Sequence, residues 1–114
     1  MKLLSLNIRG VRGGPKYYLL KHLVAFGKPD IVLFQETMVS AVDVRISLGI
    51  LFPFWGMCSS DLDGRSGGLF VVWDRSIFYL SPFLTYAGIL LEGSIRDGNI
   101  LIKVLNCYGS FLDK

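Results

Sequence analysis

The chain has 114 residues, a net charge of +3 and a pI near 9.0, and hydrophobic residues make up 52% of it. This length allows one domain at most, and the mean hydropathy of +0.50 excludes intrinsic disorder. A domain this small buries only about 60–70% of the surface that its unfolded chain exposes. The apolar content therefore indicates a core that is shared with a partner or with further chain.

The cysteines and the apolar runs bear on where the protein acts. Cys58 and Cys107 lie among apolar neighbours and form neither a disulfide framework nor a zinc-binding pattern. We interpret both as buried, reduced thiols of an intracellular protein, nuclear or cytoplasmic. Leu3–Leu6 is too short for the apolar region of a signal peptide, so secretion is not expected. Ser76–Leu91 carries no charge, but it is shorter than the ~20 residues that a membrane span needs and contains Pro82.

The first 36 residues predict one β-α-β unit. Lys2–Ile8 is a short apolar run typical of a strand, and glycines follow it. Pro15–Phe26 is predicted to be a helix, with proline in its first turn and Gly27 as its C-terminal cap. Ile31–Phe34 is entirely apolar, which indicates a central strand covered on both faces. The helix should bury a stripe formed by Leu19, Leu20, Leu23, Val24 and Phe26.

Strand signals dominate the rest of the chain. A short helix is predicted within residues 38–49, and an Asp-Gly turn within Arg96–Asn99. Asp61–Gly68 is polar and rich in glycine, so it is predicted to be a turn. A calcium loop is not expected there, because the acidic residues do not have the required spacing. Five strands are predicted: Phe54–Ser59, Leu69–Trp73, Ile77–Leu80, Leu84–Leu91 and Ile100–Asn106.

The glycines after the first strand resemble a dinucleotide-binding turn only superficially. Gly10–Gly14 reads G-x-x-G-G, whereas the dinucleotide fingerprint requires G-x-G-x-x-G. The first quarter of the sequence nevertheless holds a basic cluster that suits a polyanion such as nucleic acid, formed by Arg9, Arg12, Lys16, Lys21 and Lys28. Arg9, Arg12 and Lys16 are the candidates for binding nucleic acid. A solvated helix face with an adjoining loop is the simpler interpretation of the same charges.

Asn7 and Glu36 form the most informative pair of polar residues. Asparagine is disfavoured inside an apolar strand, and Glu36 follows the buried run Ile31–Phe34. Two parallel strands joined by a helix bring both ends to one edge of the sheet, where open sheets bind ligands. An amide and a carboxylate at that edge offer oxygen ligands for Mg²⁺. Alternatively, Asn7 caps its strand and Glu36 is merely solvated.

Four segments resemble the endonuclease/exonuclease/phosphatase superfamily, in the order in which that superfamily has them. They are Leu6–Gly10 (LNIRG), Lys28–Thr37 (KPDIVLFQET), Arg65–Leu69 (RSGGL) and Leu105–Gly109 (LNCYG). Within the superfamily they are most similar to the apurinic-type endonuclease domain of non-LTR retrotransposons (LINE elements).

The resemblance implies a deoxyribonuclease-like fold, a two-sheet α/β sandwich that cuts phosphodiester bonds with Mg²⁺ or Mn²⁺. Binding of the ion by this partial chain is expected to be weak. It implies that this chain is the N-terminal half of such a sandwich, a mixed sheet with one clear helix. Asn7 and Glu36 match the catalytic asparagine and the metal-ligating glutamate, and Tyr108 matches a tyrosine beside the scissile phosphate. Alternatively, Tyr108 is an aromatic residue of the core. Ser110 departs from the pattern, because proline is usual at that position.

The sequence lacks the superfamily's later Gly-Asp-x-Asn and Ser-Asp-His segments, and its single histidine, His22, lies in the predicted helix. We therefore interpret residues 1–114 as a partial domain, truncated at the C-terminus and inactive, from a metal-dependent DNA endonuclease of retrotransposon origin. Self-association through an exposed sheet face is expected. A non-catalytic module that binds nucleic acid or protein, or a phosphatase relic of the same superfamily, are the alternatives.

Overall fold

The computed structural model describes residues 1–10, 14–60 and 68–107. These residues form seven strands, two α-helices and one 3₁₀ turn, which spans Gly49–Leu51. The helices are α1 (Gly14–Gly27) and α2 (Ala41–Ser47). The strands are β1 (Leu3–Asn7), β2 (Ile31–Gln35), β3 (Gly56–Ser60), β4 (Leu69–Trp73), β5 (Phe78–Leu84), β6 (Gly88–Ile95) and β7 (Leu101–Cys107).

The strands form two sheets. Sheet A is mixed and has the order β1-β2-β4-β3, in which β1 and β2 are parallel and the other pairs are antiparallel. Sheet B is antiparallel and has the order β5-β6-β7. This arrangement confirms the predicted α/β class, with β1 beside β2 in a mixed sheet.

Two apolar cores cover the two faces of sheet A. On one face Val32, Phe34, Phe70 and Val72 pack with residues of both helices, including Leu20. On the other face Ile31, Leu33, Val71 and their neighbours pack against Phe78, Ile89 and Leu91 of sheet B. Each residue from Ile31 to Phe34 is buried, so the prediction of a central strand covered on both faces is confirmed.

Helix α1 buries less of its apolar surface than the sequence predicted. Leu20 is buried and Val24 packs against the core, but Leu19, Leu23 and Phe26 are exposed. The reason is that the helix carries two apolar stripes side by side, and a helix that touches one sheet face can bury only one of them.

The helix ends one residue later than predicted. Gly27 is its last residue, and the left-handed conformation that glycine usually takes at a helix end falls instead on Lys28, with φ of 46°. The backbone N–H of Lys28 donates to the Val24 carbonyl at 3.0 Å, which closes the final turn. Pro29, which is buried, then prevents any continuation.

Several other elements begin or end at residues that differ from the predicted ones. The predicted strand Phe54–Ser59 begins at Gly56, because Phe54 is exposed with φ of 68°. The helix predicted within residues 38–49 is confirmed as α2, whose cap is Ser40 with its hydroxyl accepting from the Asp43 N–H at 3.1 Å. Most of the predicted turn Asp61–Gly68 lies outside the described residues.

The largest shift concerns the predicted strands Ile77–Leu80 and Leu84–Leu91, which became β5 and β6. The turn between β5 and β6 lies at Thr85–Gly88, where the Thr85 hydroxyl accepts from the N–H groups of Ala87 and Gly88 at 3.1 and 3.0 Å. The sequence does not mark this strand boundary, because the apolar run continues into the turn and only Thr85 caps it. The turn predicted within Arg96–Asn99 is confirmed between β6 and β7.

Cys58 and Cys107 are both free but only half-buried, which corrects the prediction that both are buried. Burial raises the pKa of the Cys58 thiol above its usual value, and the nearby Arg45 guanidinium opposes that shift. No helix among the described residues has the length and apolar character that crossing a membrane requires. Most of Ser76–Leu91, the uncharged run, lies in strands of sheet B.

Candidate functional site

The candidate site lies at the edge of sheet A where the parallel strands β1 and β2 end together. Asn7 pairs with Gln35 in the strand register. Beyond that pair, the N–H of Ile8 donates to the Gln35 carbonyl at 3.1 Å, and the N–H of Gly10 donates to the Glu36 carbonyl at 2.6 Å. Backbone hydrogen bonds therefore continue past both strand ends and hold the two polar residues at one edge, as the sequence predicted.

Asn7 and Glu36 touch each other directly. The Asn7 Nδ2 group donates to Glu36 Oε2 at 2.8 Å. Asn7 is exposed and Glu36 is half-buried, so this pair faces solvent. An amide that donates to one carboxylate oxygen fixes the orientation of the carboxylate and leaves the second oxygen, Oε1, available. Within the described part of the chain, Oε1 has no hydrogen-bond partner.

The backbone around the pair adopts an uncommon conformation. Arg9, Glu36 and Met38 have φ values of 51°, 54° and 61°, in the left-handed region. Such residues cost roughly 1–3 kcal/mol each and cluster at ligand-binding and catalytic sites. The left-handed residue at Glu36 ends the strand and turns the chain away beside Gly10.

A second polar cluster lies next to the pair and joins the two sheets. Gln35 Nε2 donates to Ser5 Oγ at 3.0 Å and to Asn106 Oδ1 at 2.9 Å. Asn106 is only 2% exposed, and its Nδ2 group donates to the carbonyls of Phe34 and Phe70 at 3.1 and 3.3 Å. These bonds fix the end of β7 against the ends of β2 and β4, directly behind the candidate site.

Sequence reasoning assigned no role to Gln35 or Asn106. The available signal was the one that singled out Asn7, a side-chain amide inside an otherwise apolar strand. In β7, Asn106 follows Leu101, Ile102, Val104 and Leu105 with one lysine between them. A buried amide must be hydrogen-bonded, so its position predicts a contact with another element but does not identify that element.

The predicted cationic residues fall into two groups. Lys16 is half-buried, and its Nζ group donates to the carbonyls of Ile8 and Arg9 at 2.7 and 3.1 Å. Its ammonium thereby holds the turn after β1 against helix α1. Arg9 is exposed beside the Asn7–Glu36 pair. Arg12 and Tyr108 lie outside the described residues, so the structure does not place either of them.

Gly68 closes the site on the side of β4. Its φ is +89°, and a Cβ atom there would lie 2.5 Å from the Thr37 hydroxyl. Thr37 is buried, and its N–H donates to the Gly68 carbonyl at 3.3 Å. The positive φ and the lack of space for a Cβ atom both require glycine at this position.

The residues present fit a Mg²⁺ ion as part of its ligand set. Among the described residues no three His, Cys, Asp or Glu side chains come together, so an all-protein metal cage is not formed by them. Mg²⁺, however, is usually held by one or two carboxylates together with water and substrate phosphate. Glu36 with the amide oxygen of Asn7 is a donor set of that kind.

Solved structures share this arrangement of strands and helices. The chain matches truncated TDP2 from Caenorhabditis elegans with 21% identity and a TM-score of 0.61, over 91% of this chain and 44% of that protein. It matches the AP endonuclease LMAP from Leishmania major with 17% identity and a TM-score of 0.67, over 94% of this chain and 39% of that protein. The chain has the fold of the endonuclease/exonuclease/phosphatase superfamily.

A third solved structure is similar to this chain. It is a conserved protein of unknown function from Enterococcus faecalis V583, matched with 19% identity and a TM-score of 0.60, over 92% of this chain and 51% of that protein. The chain thus spans about half or less of each of these three solved structures. No protein-family model matches the sequence, and neither does any curated protein.

Proposed function

We propose that these 114 residues are the metal-holding half of a Mg²⁺- or Mn²⁺-dependent phosphodiesterase. The observation that carries this proposal is the 2.8 Å hydrogen bond from Asn7 Nδ2 to Glu36 Oε2, at the edge where two parallel strands end. The superfamily fold and the AP endonuclease among its solved relatives support a nuclease.

We further propose that the parent enzyme is a DNA endonuclease of non-LTR retrotransposon origin that acts inside the cell, in the nucleus or cytoplasm. The support for this finer assignment is the similarity of the segments Leu6–Gly10 and Lys28–Thr37 to such enzymes. Each segment contributes one residue to the candidate site, since Asn7 ends β1 and Glu36 follows β2.

Each residue of the site has a proposed role. Glu36 holds the metal through its carboxylate. Asn7 keeps that carboxylate oriented by its hydrogen bond to Oε2 and offers its own amide oxygen as a further ligand. When bound, the metal would neutralise charge on the phosphate oxygens of the substrate. Arg9 is exposed beside the pair and would contact the DNA backbone. Lys16 would support it by holding the Ile8 and Arg9 carbonyls. Arg12 and Tyr108 are also proposed to contact phosphate.

We propose that this chain does not cut DNA by itself. In-line attack on a phosphodiester needs a metal, an activated water and stabilisation of the developing charge at the same time. The Asp, Asn and His segments that would orient and activate the water do not occur in the sequence. A general base typically contributes 10²–10⁴-fold, and residues that act as a unit lose most of the rate together.

Nicking of supercoiled plasmid and of a duplex with an abasic site, both in Mg²⁺, tests this proposal. We expect no cleavage above background from the chain or from its Glu36→Gln variant. Weak DNA binding that decreases steeply with salt is expected from both, and it should decrease further in Arg9→Gln. Cleavage by the unmodified chain that disappears in Glu36→Gln would overturn the claim of inactivity. DNA binding that is independent of salt would overturn the assignment of a phosphate-contacting surface.

A further inference from the structure

A cavity of about 700 Å³ lies at the opposite end of sheet A from the Asn7–Glu36 pair. Its wall includes Trp73, which pairs with Ile31 at the start of β2, whereas Glu36 follows the end of β2. Ile31 and Glu36 are five positions apart along the chain, about 16 Å at the usual rise of ~3.3 Å per residue. The volume is within the range of about 300–1,000 Å³ that is typical of small-molecule sites. None of the lining residues belongs to the candidate active site.

Three arginines from three different segments line this cavity. They are Arg45 of α2, Arg75 after β4 and Arg96 after β6, and no carboxylate is among the lining residues. Within the described part of the chain, the guanidinium groups of Arg45 and Arg75 have neither a hydrogen-bond partner nor an ion pair. Like charges around one cavity repel each other, so a bound anion would relieve that repulsion.

Arg96 is held in place, unlike the other two arginines. Its Nε group donates to the Arg75 carbonyl at 2.7 Å, and its Nη1 group donates to the Tyr79 hydroxyl at 2.8 Å. Its guanidinium also lies 4.1 Å from the centroid of the Tyr79 ring. A preorganised guanidinium loses less entropy when it binds an anion than a free side chain does.

Four aromatic side chains contribute to the rest of the cavity wall. Trp55, Trp73, Phe78 and Tyr79 all line it. The indole of Trp73 lies directly against the Gly56 backbone, since a Cβ atom on Gly56 would lie 2.2 Å from Trp73 Cε2. Aromatic faces beside guanidinium groups are the combination that binds a nucleobase together with its phosphate.

We propose that this cavity binds a nucleotide unit, with its phosphate held by the arginines and its base stacked against the accessible rings of Trp55 and Tyr79. A free nucleotide and a nucleotide within a single strand supply the same chemistry. This site is independent of the proposed phosphodiesterase site, because it uses different residues at the other end of the sheet.

Tryptophan fluorescence reports on this cavity directly, because both tryptophans of the chain, Trp55 and Trp73, line it. The probes are adenosine monophosphate, a single-stranded oligothymidylate and inorganic phosphate, added to protein freshly separated by gel filtration. N-acetyltryptophanamide corrects for absorption by the probes. We expect saturable quenching by the nucleotide and the oligonucleotide. A much tighter dissociation constant for the oligonucleotide would identify a strand as the ligand, and similar constants would identify the free nucleotide.

Arg45→Gln is the test variant, because Arg45 is exposed and makes no described hydrogen bond on which the fold depends. It should weaken nucleotide binding about tenfold, as expected for the loss of one charged contact to phosphate. Lys21→Gln removes an equal charge from the exposed side of α1, and Glu36→Gln alters the other site. Both should leave the affinity unchanged, and near-ultraviolet circular dichroism checks that each variant is folded.

Three results would overturn the proposal. They are no quenching by either nucleotide probe, equal affinity in the unmodified chain and Arg45→Gln, or equal affinity for inorganic phosphate and adenosine monophosphate. The last result would mean that the base contributes nothing.

Discussion

The side-chain amide of Gln35 donates a 2.9 Å hydrogen bond to Oδ1 of Asn106, a residue 71 positions later in the sequence. Asn106 in turn donates to the carbonyls of Phe34 and Phe70. The last residues of β2, on the edge that carries Glu36, are therefore held by a strand of the other sheet. The position of the candidate site depends on how sheet B packs against sheet A.

Asn106→Ala should destabilise the fold by about 1–3 kcal/mol, because it leaves two buried carbonyls without their donor and Gln35 without its acceptor. Urea unfolding followed by circular dichroism measures the loss as a lower midpoint. Asn99→Ala is the matched control, since Asn99 is exposed in the turn before β7. Equal midpoints for the two variants would contradict the role assigned to Asn106.

Gly56→Ala tests the contact between the backbone of β3 and the Trp73 indole. A Cβ atom on Gly56 would lie 2.2 Å from Trp73 Cε2, so the indole must move. Overpacking of this kind typically costs about 1–3 kcal/mol, and tryptophan fluorescence should shift as the ring is displaced. Gly98→Ala provides the control, because the nearest atom to its added Cβ is 3.9 Å away. A melting temperature in Gly56→Ala equal to that of the unmodified chain would show that the strands accommodate the extra methyl group.

Cys58 should react slowly with iodoacetamide near pH 8. Burial raises the pKa of its thiol, so less thiolate is present at this pH than in an unperturbed cysteine. Since the folded-state pKa lies above the unfolded value, stability should decrease as the pH rises above about 9. Alkylation rates in a Cys107→Ser background, with and without urea, measure the effect on Cys58 alone. A rate that does not increase on unfolding would contradict this account.

Apolar side chains cross the outer face of sheet B in one row. Phe83, Leu90 and Leu105 are register neighbours on β5, β6 and β7, and Phe83 and Leu105 are exposed by 48% and 45%. We expect the chain to self-associate through this row and to bind a hydrophobic dye.

Leu105→Lys should weaken both self-association and dye binding, because it places a charge within the row. Sedimentation velocity and dye fluorescence provide the measurements. Ser81→Lys adds the same charge to an exposed residue of β5 two positions before Phe83, and it should have a smaller effect. A monodisperse monomer that binds no dye would exclude the predicted association.

The sequence predicted the candidate edge because its signals are local. An apolar run such as Ile31–Phe34 predicts a strand that is covered on both faces, even though it does not identify the covering elements. A helix between two parallel strands places Asn7 beside Glu36. Asn106 and the arginine-lined cavity could not be predicted in this way. Their contacts join residues far apart in the chain, such as Arg45 and Arg96, and they depend on how two sheets pack. The β5–β6 turn was missed because its hydrogen bonds come from a single threonine.

The Asn7–Glu36 pair can be tested most directly by the uptake of Mn²⁺, measured as the decrease of the free-ion electron paramagnetic resonance signal. Glu36→Gln should abolish binding, and Asn7→Ala should weaken it about tenfold, because a misoriented carboxylate is a poorer ligand. Asp97→Asn removes an exposed carboxylate from the β6–β7 turn, at the other end of the sheets, and should change nothing. The account predicts one Mn²⁺ ion per chain, lost with Glu36. Equal uptake by the unmodified chain and Glu36→Gln, or no uptake by the unmodified chain, would contradict it.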